Sequence, residues 1–126
     1  MADALLLVFS NPVPGREDEF TDWYEHRHLG DVLAVPGVTA ARFYENAQTP
    51  PSKAEDASES LPAGHSHLAA YELDRDVDDV LAEFGRRVRS GEMPMSEAMD
   101  RETMTMTAWR PRGPRLEKGA EADQGI

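Results

Sequence analysis

Between Asn11 and Gly37 the chain reads NPVPGREDEFTDWYEHRHLGDVLAVPG, a turn, a helix and a second turn in succession. The run before it, residues 5–10, is apolar and of strand length. Asn11-Pro12-Val13-Pro14-Gly15 ends that strand, because proline removes ladder donors and glycine permits a turn. The helix starts near Arg16, with Glu17, Asp18 and Glu19 in its first turn, where the macrodipole favours anions. At about 100° per residue, Phe20, Trp23, Tyr24, Arg27, His28 and Asp31 fall within one arc. Asp22, Glu25 and His26 point away from it or lie at its edge. Leu29 and Leu33 lie on the opposite side, which predicts a kink or restart at Gly30 and a last short turn ended by Pro36-Gly37. A helix that only filled a core would show Leu, Val and Ala along the arc. Aromatic and polar residues stand there instead, and we read the helix as one wall of a small-molecule site.

The rest of the chain supplies the sheet. Residues 38–45 alternate and carry aromatics, as a strand does. Residues 47–64 are rich in Pro, Ser, Ala and acids without periodicity, and are expected to be a long mobile loop or lid. A third strand is expected at 65–73, with His65, His67, Ala69, Tyr71 and Leu73 on one face. Residues 74–90 place Val77, Val80, Leu81, Phe84 and Val88 at helical spacing, with Gly91 as the stop. A turn and one short helix are expected over 92–100, and a fourth strand over 101–110. That strand puts Thr103, Thr105, Thr107 and Trp109 on one face and Met104, Met106 and Ala108 on the other. From 111 to 126 the chain is polar, rich in Pro and Gly, and expected to be disordered. The order β-α-β-β-α-β predicts an α+β, ferredoxin-like domain over 1–110, an antiparallel sheet with both helices on one face. The other face would stand open, and a homodimer would cover it.

Composition removes several classes. A chain of 126 residues without cysteine forms one domain and has no disulfide, thiolate metal site or thiol nucleophile. A net charge of −11 argues against nucleic acid and anionic membranes as partners. The first apolar run falls far short of the ~20 residues of a membrane span and lacks a basic lead-in, so a cytoplasmic protein is expected. No P-loop, G-x-G-x-x-G, G-x-S-x-G or H-E-x-x-H occurs.

Across residues 11 to 44 the chain resembles the dimeric α/β-barrel proteins, and within them the EthD-like group. The shared pattern G-x-x-x-x-F-x-x-W-Y-x-x-x-H-L-x-x-[IVL]-x-x-x-P-G-V falls on Gly15, Phe20, Trp23, Tyr24, His28, Leu29, Val32, Pro36, Gly37 and Val38. The resemblance implies a cleft between helices and sheet, with His28 facing it. The group includes polyketide cyclases, cofactor-free quinone-forming monooxygenases, haem dye peroxidases and isomerases. This chain departs from the pattern at Gly30, where members often carry proline.

Tyr24, His28 and Asp31 stand at i, i+4 and i+7 of the helix, so a phenol, an imidazole and a carboxylate share one face. Histidine titrates near neutral pH, and a carboxylate neighbour orients it and raises its basicity. The three are the catalytic candidates, as base, donor and orienter. The plainer alternative is a docked helix whose His28 bonds a backbone carbonyl. His65, His67, Trp23, Asn11 and Tyr44 are candidates for substrate binding, with Arg42 beside them or paired to a surface carboxylate. Trp23 and Phe20 also suit a core or pocket wall. His65 and His67 with His28 or Asp31 could ligate a divalent metal, but the spacing is weak and no metal site is assigned. The methionines suit either a hydrophobic ligand or a dimer seam. The expected function is a cofactor-independent enzyme acting on an aromatic or polyketide-like molecule by histidine-mediated proton transfer: a cyclase, dehydratase or isomerase. The alternatives are a phenol-to-quinone monooxygenase, with or without haem, and a non-catalytic dimer that binds an apolar metabolite.

Overall fold

The first strand, β1 (Ala4–Ser10), lies inside a four-stranded antiparallel sheet, and its alternation decides what faces the helices. Ala4, Leu6, Val8 and Ser10 are buried under them, while Leu5 points the other way. The computed structural model describes residues 4–48 and 64–119. Most of the loop expected at 47–64, and the end of the tail expected at 111–126, lie outside the described residues. Residues 111–119 are exposed and form no helix or strand.

Val13-Pro14-Gly15-Arg16 makes the turn out of β1, with Arg16 N–H donating to the Val13 carbonyl at 2.9 Å. Proline presets the first central residue, and Gly15 at φ +86° supplies the left-handed second one of a type II turn. Helix α1 (Glu17–Trp23) follows, then a π-helical turn (Tyr24–His28), then α2 (Leu29–Leu33) without a break. The kink or restart expected at Gly30 takes the form of a wide turn just before it, after which the α-helix resumes at Leu29. In that turn Leu29 N–H reaches back five residues to the Tyr24 carbonyl. One extra residue enters that turn and carries everything after it round the axis. Val32 thereby becomes buried, and Leu33 remains exposed.

Strand β2 (Val38–Glu45) pairs with β3 (His67–Leu73), which pairs with β1, which pairs with β4 (Thr105–Trp109). The sheet order β2-β3-β1-β4 is that of the ferredoxin-like plan expected from the sequence. A bulge between Val38 and Ala40 resets the alternation of β2, so that Ala41 and Phe43 face inward opposite Tyr71 and Ala69. Helix α3 (Val77–Ser90) begins three residues later than expected and is capped by Asp76, whose carboxylate accepts from Asp78 N–H at 3.1 Å. Gly91, at φ +88°, ends it. β3 and β4 are shorter than expected. His65 and Ser66 precede the one, and Arg101–Thr103 form a turn before the other.

The segment over 92–100 is not helical. It is a strap with the expected turn, closed by Met99 N–H on the Ser96 carbonyl at 3.3 Å, and it is held to the end of β1 by Val13 N–H on the Ala98 carbonyl at 2.6 Å and Asp100 N–H on the Asn11 carbonyl at 2.9 Å. The strap buries Met93, Ala98 and Met99, which anchor it where a helix would not reach. Among the described residues no helix is long and apolar enough to cross a membrane.

Phe20 is fully buried where the first helix meets the sheet, against Tyr24, Phe43 and His67 at 5.4, 6.2 and 5.0 Å between ring centroids. Phe20→Ala should therefore lower stability by roughly 3–5 kcal/mol, read as a shift of the urea midpoint by circular dichroism. A loss below about 1 kcal/mol would mean that the helix is not docked through this ring.

Candidate active site

Helices and sheet enclose a cavity of about 200 Å³. Leu6 and Val8 of β1 and Met106 of β4 line it from the sheet, and Val32, Phe84 and Val88 from the helices. Met95 and Met99 of the strap and Met104, just before β4, close the remaining side. Of the two roles open to the methionines, these four take the lining of a hollow. An aliphatic cavity of about 150 Å³ holds benzene, so this one suits a ring with substituents.

Four residues with polar heads also line it: Tyr24, His28, Tyr71 and Arg101. His28 is 3 % exposed, and its ring lies on the Trp23 indole at 4.3 Å and 21°. The Tyr24 ring meets it edge-on at 5.1 Å. These contacts fix the imidazole plane without using its nitrogens. Nδ1 is buried and has no hydrogen-bond partner among the described residues, so the backbone-carbonyl alternative does not satisfy that nitrogen. Buried polar atoms are ordinarily paired, and this one is open to a ligand or a water.

The hydroxyls of Tyr24, Tyr71 and Ser10 form a second buried group. Tyr24 lies close enough to Tyr71 and to Ser10 to interact through hydrogen bonding, though none of the three hydroxyls closes a well-formed bond. Burial pushes the Tyr24 phenol up to about 12, with smaller downward pulls from Tyr71 and Ser10. Burial, then the Tyr24 phenol, raises Tyr71 as well. Burial lowers the His28 imidazole to about 4, against a weaker upward pull from Asp31. The cavity thus presents two protonated phenols and one neutral imidazole at neutral pH.

Asp31 does not line the cavity. Its carboxylate accepts from Arg27 Nε at 2.9 Å and borders a separate surface pocket with Arg86, Arg87 and Glu92. The π-turn is the reason, because the extra residue moves Asp31 off the arc that a regular helix would give it. It acts on His28 only through its field.

Trp23 backs His28 from outside the lining. His67 faces inward but joins the aromatic packing, stacked on Phe43 at 5.2 Å, and burial lowers its imidazole against weaker upward pulls from Glu45 and Glu25. His65 lies before the strand and not on it, so the two rings do not share an alternating face. Its Nε2–H donates to the Thr103 carbonyl at 2.7 Å, and its ring rests near Phe9 at 5.6 Å. Both histidines instead reach a shallow second pocket of about 260 Å³ beside Tyr44 and Leu68. Asn11 is a latch: its Oδ1 accepts from Ser66 N–H at 2.8 Å and its Nδ2 donates to Thr103 Oγ1 at 3.2 Å. Tyr44 is on the open face of the sheet under the Arg42 guanidinium, which stacks on it at 5.7 Å. Among the described residues no three His, Asp or Glu side chains gather as a metal-binding group.

Tyr71, Ser10 and Arg101 were not among the candidates drawn from sequence. Alternation along β3 carries Tyr71 to the same side as Leu73, which would have found it once the inner face was known. For Arg101 the sequence holds no signal.

No protein-family model and no curated protein matches the sequence. Solved structures do resemble the fold. An Arabidopsis thaliana protein superposes with a TM-score of 0.61 at 12% identity, covering 92% of this chain and 94% of its own. A candidate monooxygenase of Shewanella loihica gives 0.52 at 13%, with coverages of 91% and 97%. A monooxygenase of Streptomyces coelicolor, solved with nanaomycin D, gives 0.50 at 14%, with 92% of each chain covered. What the chain shares with these structures is the ferredoxin-like fold, a four-stranded antiparallel sheet with its helices on one face. At such identities the likeness concerns the path of the backbone, and the site must be argued from its own side chains.

The buried imidazole gives a pH test. Folded His28 takes its proton near 4 and an unfolded histidine near 6.5, so the unfolded chain binds more protons in between. Its contribution is complete above pH 6.5 and is lost as the pH falls to about 4, up to about 3 kcal/mol in all. Urea unfolding between pH 7.5 and 4.5 should show His28→Gln losing stability less steeply than the parent, with the depressed His67 common to both. Parallel curves would show that His28 is not held neutral.

Proposed function

We propose that the chain is a cofactor-independent enzyme that moves a proton on an aromatic or polyketide-like molecule held in the cavity. The observation that carries this reading is the unpartnered Nδ1 of His28 beside the Tyr24 and Tyr71 phenols, neither of which closes a well-formed hydrogen bond, in an otherwise apolar space. Such groups are costly to bury unless something meets them. His28, neutral at physiological pH, takes a proton from carbon next to a carbonyl. The electron pair moves onto the carbonyl oxygen, where Tyr24 and Tyr71 donate hydrogen bonds to the developing enolate. In a cyclisation the enolate carbon then attacks a second carbonyl, and the proton on His28 passes to the alkoxide that forms. In an isomerisation it returns to another carbon. Asp31 leaves the constellation as a contact and remains a distant charge.

A second reading has its own support, since two structures of the same fold are described as monooxygenases. There His28 would deprotonate a phenol, and dioxygen would be the oxidant, one oxygen atom replacing a ring hydrogen to give the quinone and the other leaving as water. Oxygen uptake with a phenolic substrate, abolished under anaerobic conditions, would favour it over the proton-transfer reading. A purely binding protein is the third outcome, with ligand held and no turnover by any variant.

The homodimer belongs to the same proposal. The sheet face away from the helices exposes Leu5, Tyr44 and Trp109, which are 41 %, 44 % and 56 % accessible. A second copy would cover them. Light scattering at micromolar concentration should give about twice the chain mass, and a stable monomer would refute the pairing.

His28→Gln should lower kcat/KM by roughly 100-fold or more, and Tyr71→Phe by roughly 100-fold, both with unchanged circular dichroism. The acidic limb of the kcat/KM profile should fall near pH 4 and not near 6.5, because the base is depressed to about 4. A His28→Gln variant that folds and turns over normally would remove the mechanism.

A further inference from the structure

Arg101 is the one cation among the residues that line the cavity, and it stands at an exposed position of the rim. Arg16, Arg27, Arg75, Arg86 and Arg87 are each paired with a carboxylate. Among the described residues Arg101 has no such partner; Arg42, Arg89, Arg110 and Arg112 have none either, but of these only Arg101 lines the cavity, in a chain of net charge −11. Its guanidinium is therefore open to an anion from outside.

The turn that carries it is held on both sides. Before it, Asp100 N–H donates to the Asn11 carbonyl at 2.9 Å, and Glu102 N–H donates to Asp100 Oδ1 at 3.1 Å. After it, the Thr103 carbonyl accepts from His65 Nε2 at 2.7 Å and Thr103 Oγ1 accepts from Asn11 Nδ2 at 3.2 Å. Asn11 and His65 thus act on the site indirectly, by fixing the backbone of the residue at its mouth.

We propose that Arg101 recognises a carboxylate, so that the ligand is an aromatic or polyketide-like acid with its ring in the cavity and its charge at the rim. This deepens the reading above and rests on it for the ring. Physical chemistry assigns the two ends. The apolar interior would strip water from a charge without repaying it, whereas the rim stays hydrated. The planar guanidinium matches a carboxylate through two parallel hydrogen bonds, which a neutral amide cannot accept in the same way. Exposure keeps the gain modest, since water and salt screen a pair at a surface.

The test is a titration of the full chain with 2-naphthoate and its neutral counterpart 2-naphthamide, followed by calorimetry at low salt. The parent should prefer the acid by roughly three- to tenfold. Arg101→Gln should lose that preference by weakening acid binding alone, and Arg101→Lys should retain part of it. Raising the salt should shrink the preference in the parent and leave Arg101→Gln unmoved. Equal affinity for acid and amide in the parent, or equal weakening of both in Arg101→Gln, overturns the proposal and leaves the cavity as a ring site. Failure of both probes to bind would overturn the cavity reading and this proposal together. If the parent and His28→Gln both prefer the acid while neither shows turnover on any substrate, Arg101 recognition stands and proton transfer falls.

Discussion

The docking of the first helix on the sheet depends on one stack of rings. Tyr24 lies flat on Phe43 at 4.2 Å and 16°, and Phe43 lies flat on His67 at 5.2 Å and 10°. Phe20 meets Tyr24 and His67 edge-on. Each such pair adds about 0.5–1.5 kcal/mol beyond the area it buries, and aromatic geometry is more directional than aliphatic packing. The stack therefore sets both the height of the helix above the sheet and its rotation. The bulge in β2 is part of the same device, because it turns Phe43 inward to receive Tyr24.

With the helix held at Tyr24, the π-turn that begins there decides what the next residues address. His28 is brought over the cavity against Trp23, Val32 is buried behind it, and Asp31 swings out to Arg27. Asp31 pairs with Arg27 and reaches the imidazole only through its field. The observed turn leaves the imidazole neutral, with an unpartnered nitrogen, in apolar surroundings. The sheet adds a further polar group, where Tyr71 of β3 opposes Leu6 of β1 and stands near Tyr24. A wide turn in a helix is a local irregularity with a functional consequence, which is where such turns are commonly found.

Much of the architecture was legible before any coordinates. The apolar run of β1, alternation in β3, the Pro-Gly turn at residue 14 and the apolar spacing of α3 each reflect a local rule, and the structure follows them to within a few residues. The π-turn was not legible, because Leu29 and Leu33 indicated only that a regular helix fails somewhere nearby. The strap over 92–100 was misread as helical, since its burial of Met93, Ala98 and Met99 depends on β1 and not on its own periodicity. His65 and His67 looked equivalent from their spacing. The hydrogen bond from His65 to Thr103 separates them, and it joins residues 38 positions apart.

By itself the sequence determined the order of the elements, the ring-bearing face of the first helix and His28 as its central polar residue. These follow from backbone sterics and side-chain period, which act over a few neighbours. Only the tertiary structure decided which polar groups share a space: it brought Tyr71, Ser10 and Arg101 toward Tyr24 and His28, and it sent Asp31 and Tyr44 elsewhere. Those choices depend on sheet register, on a bulge and on one wide helical turn, each of which is settled by packing between segments far apart in the chain.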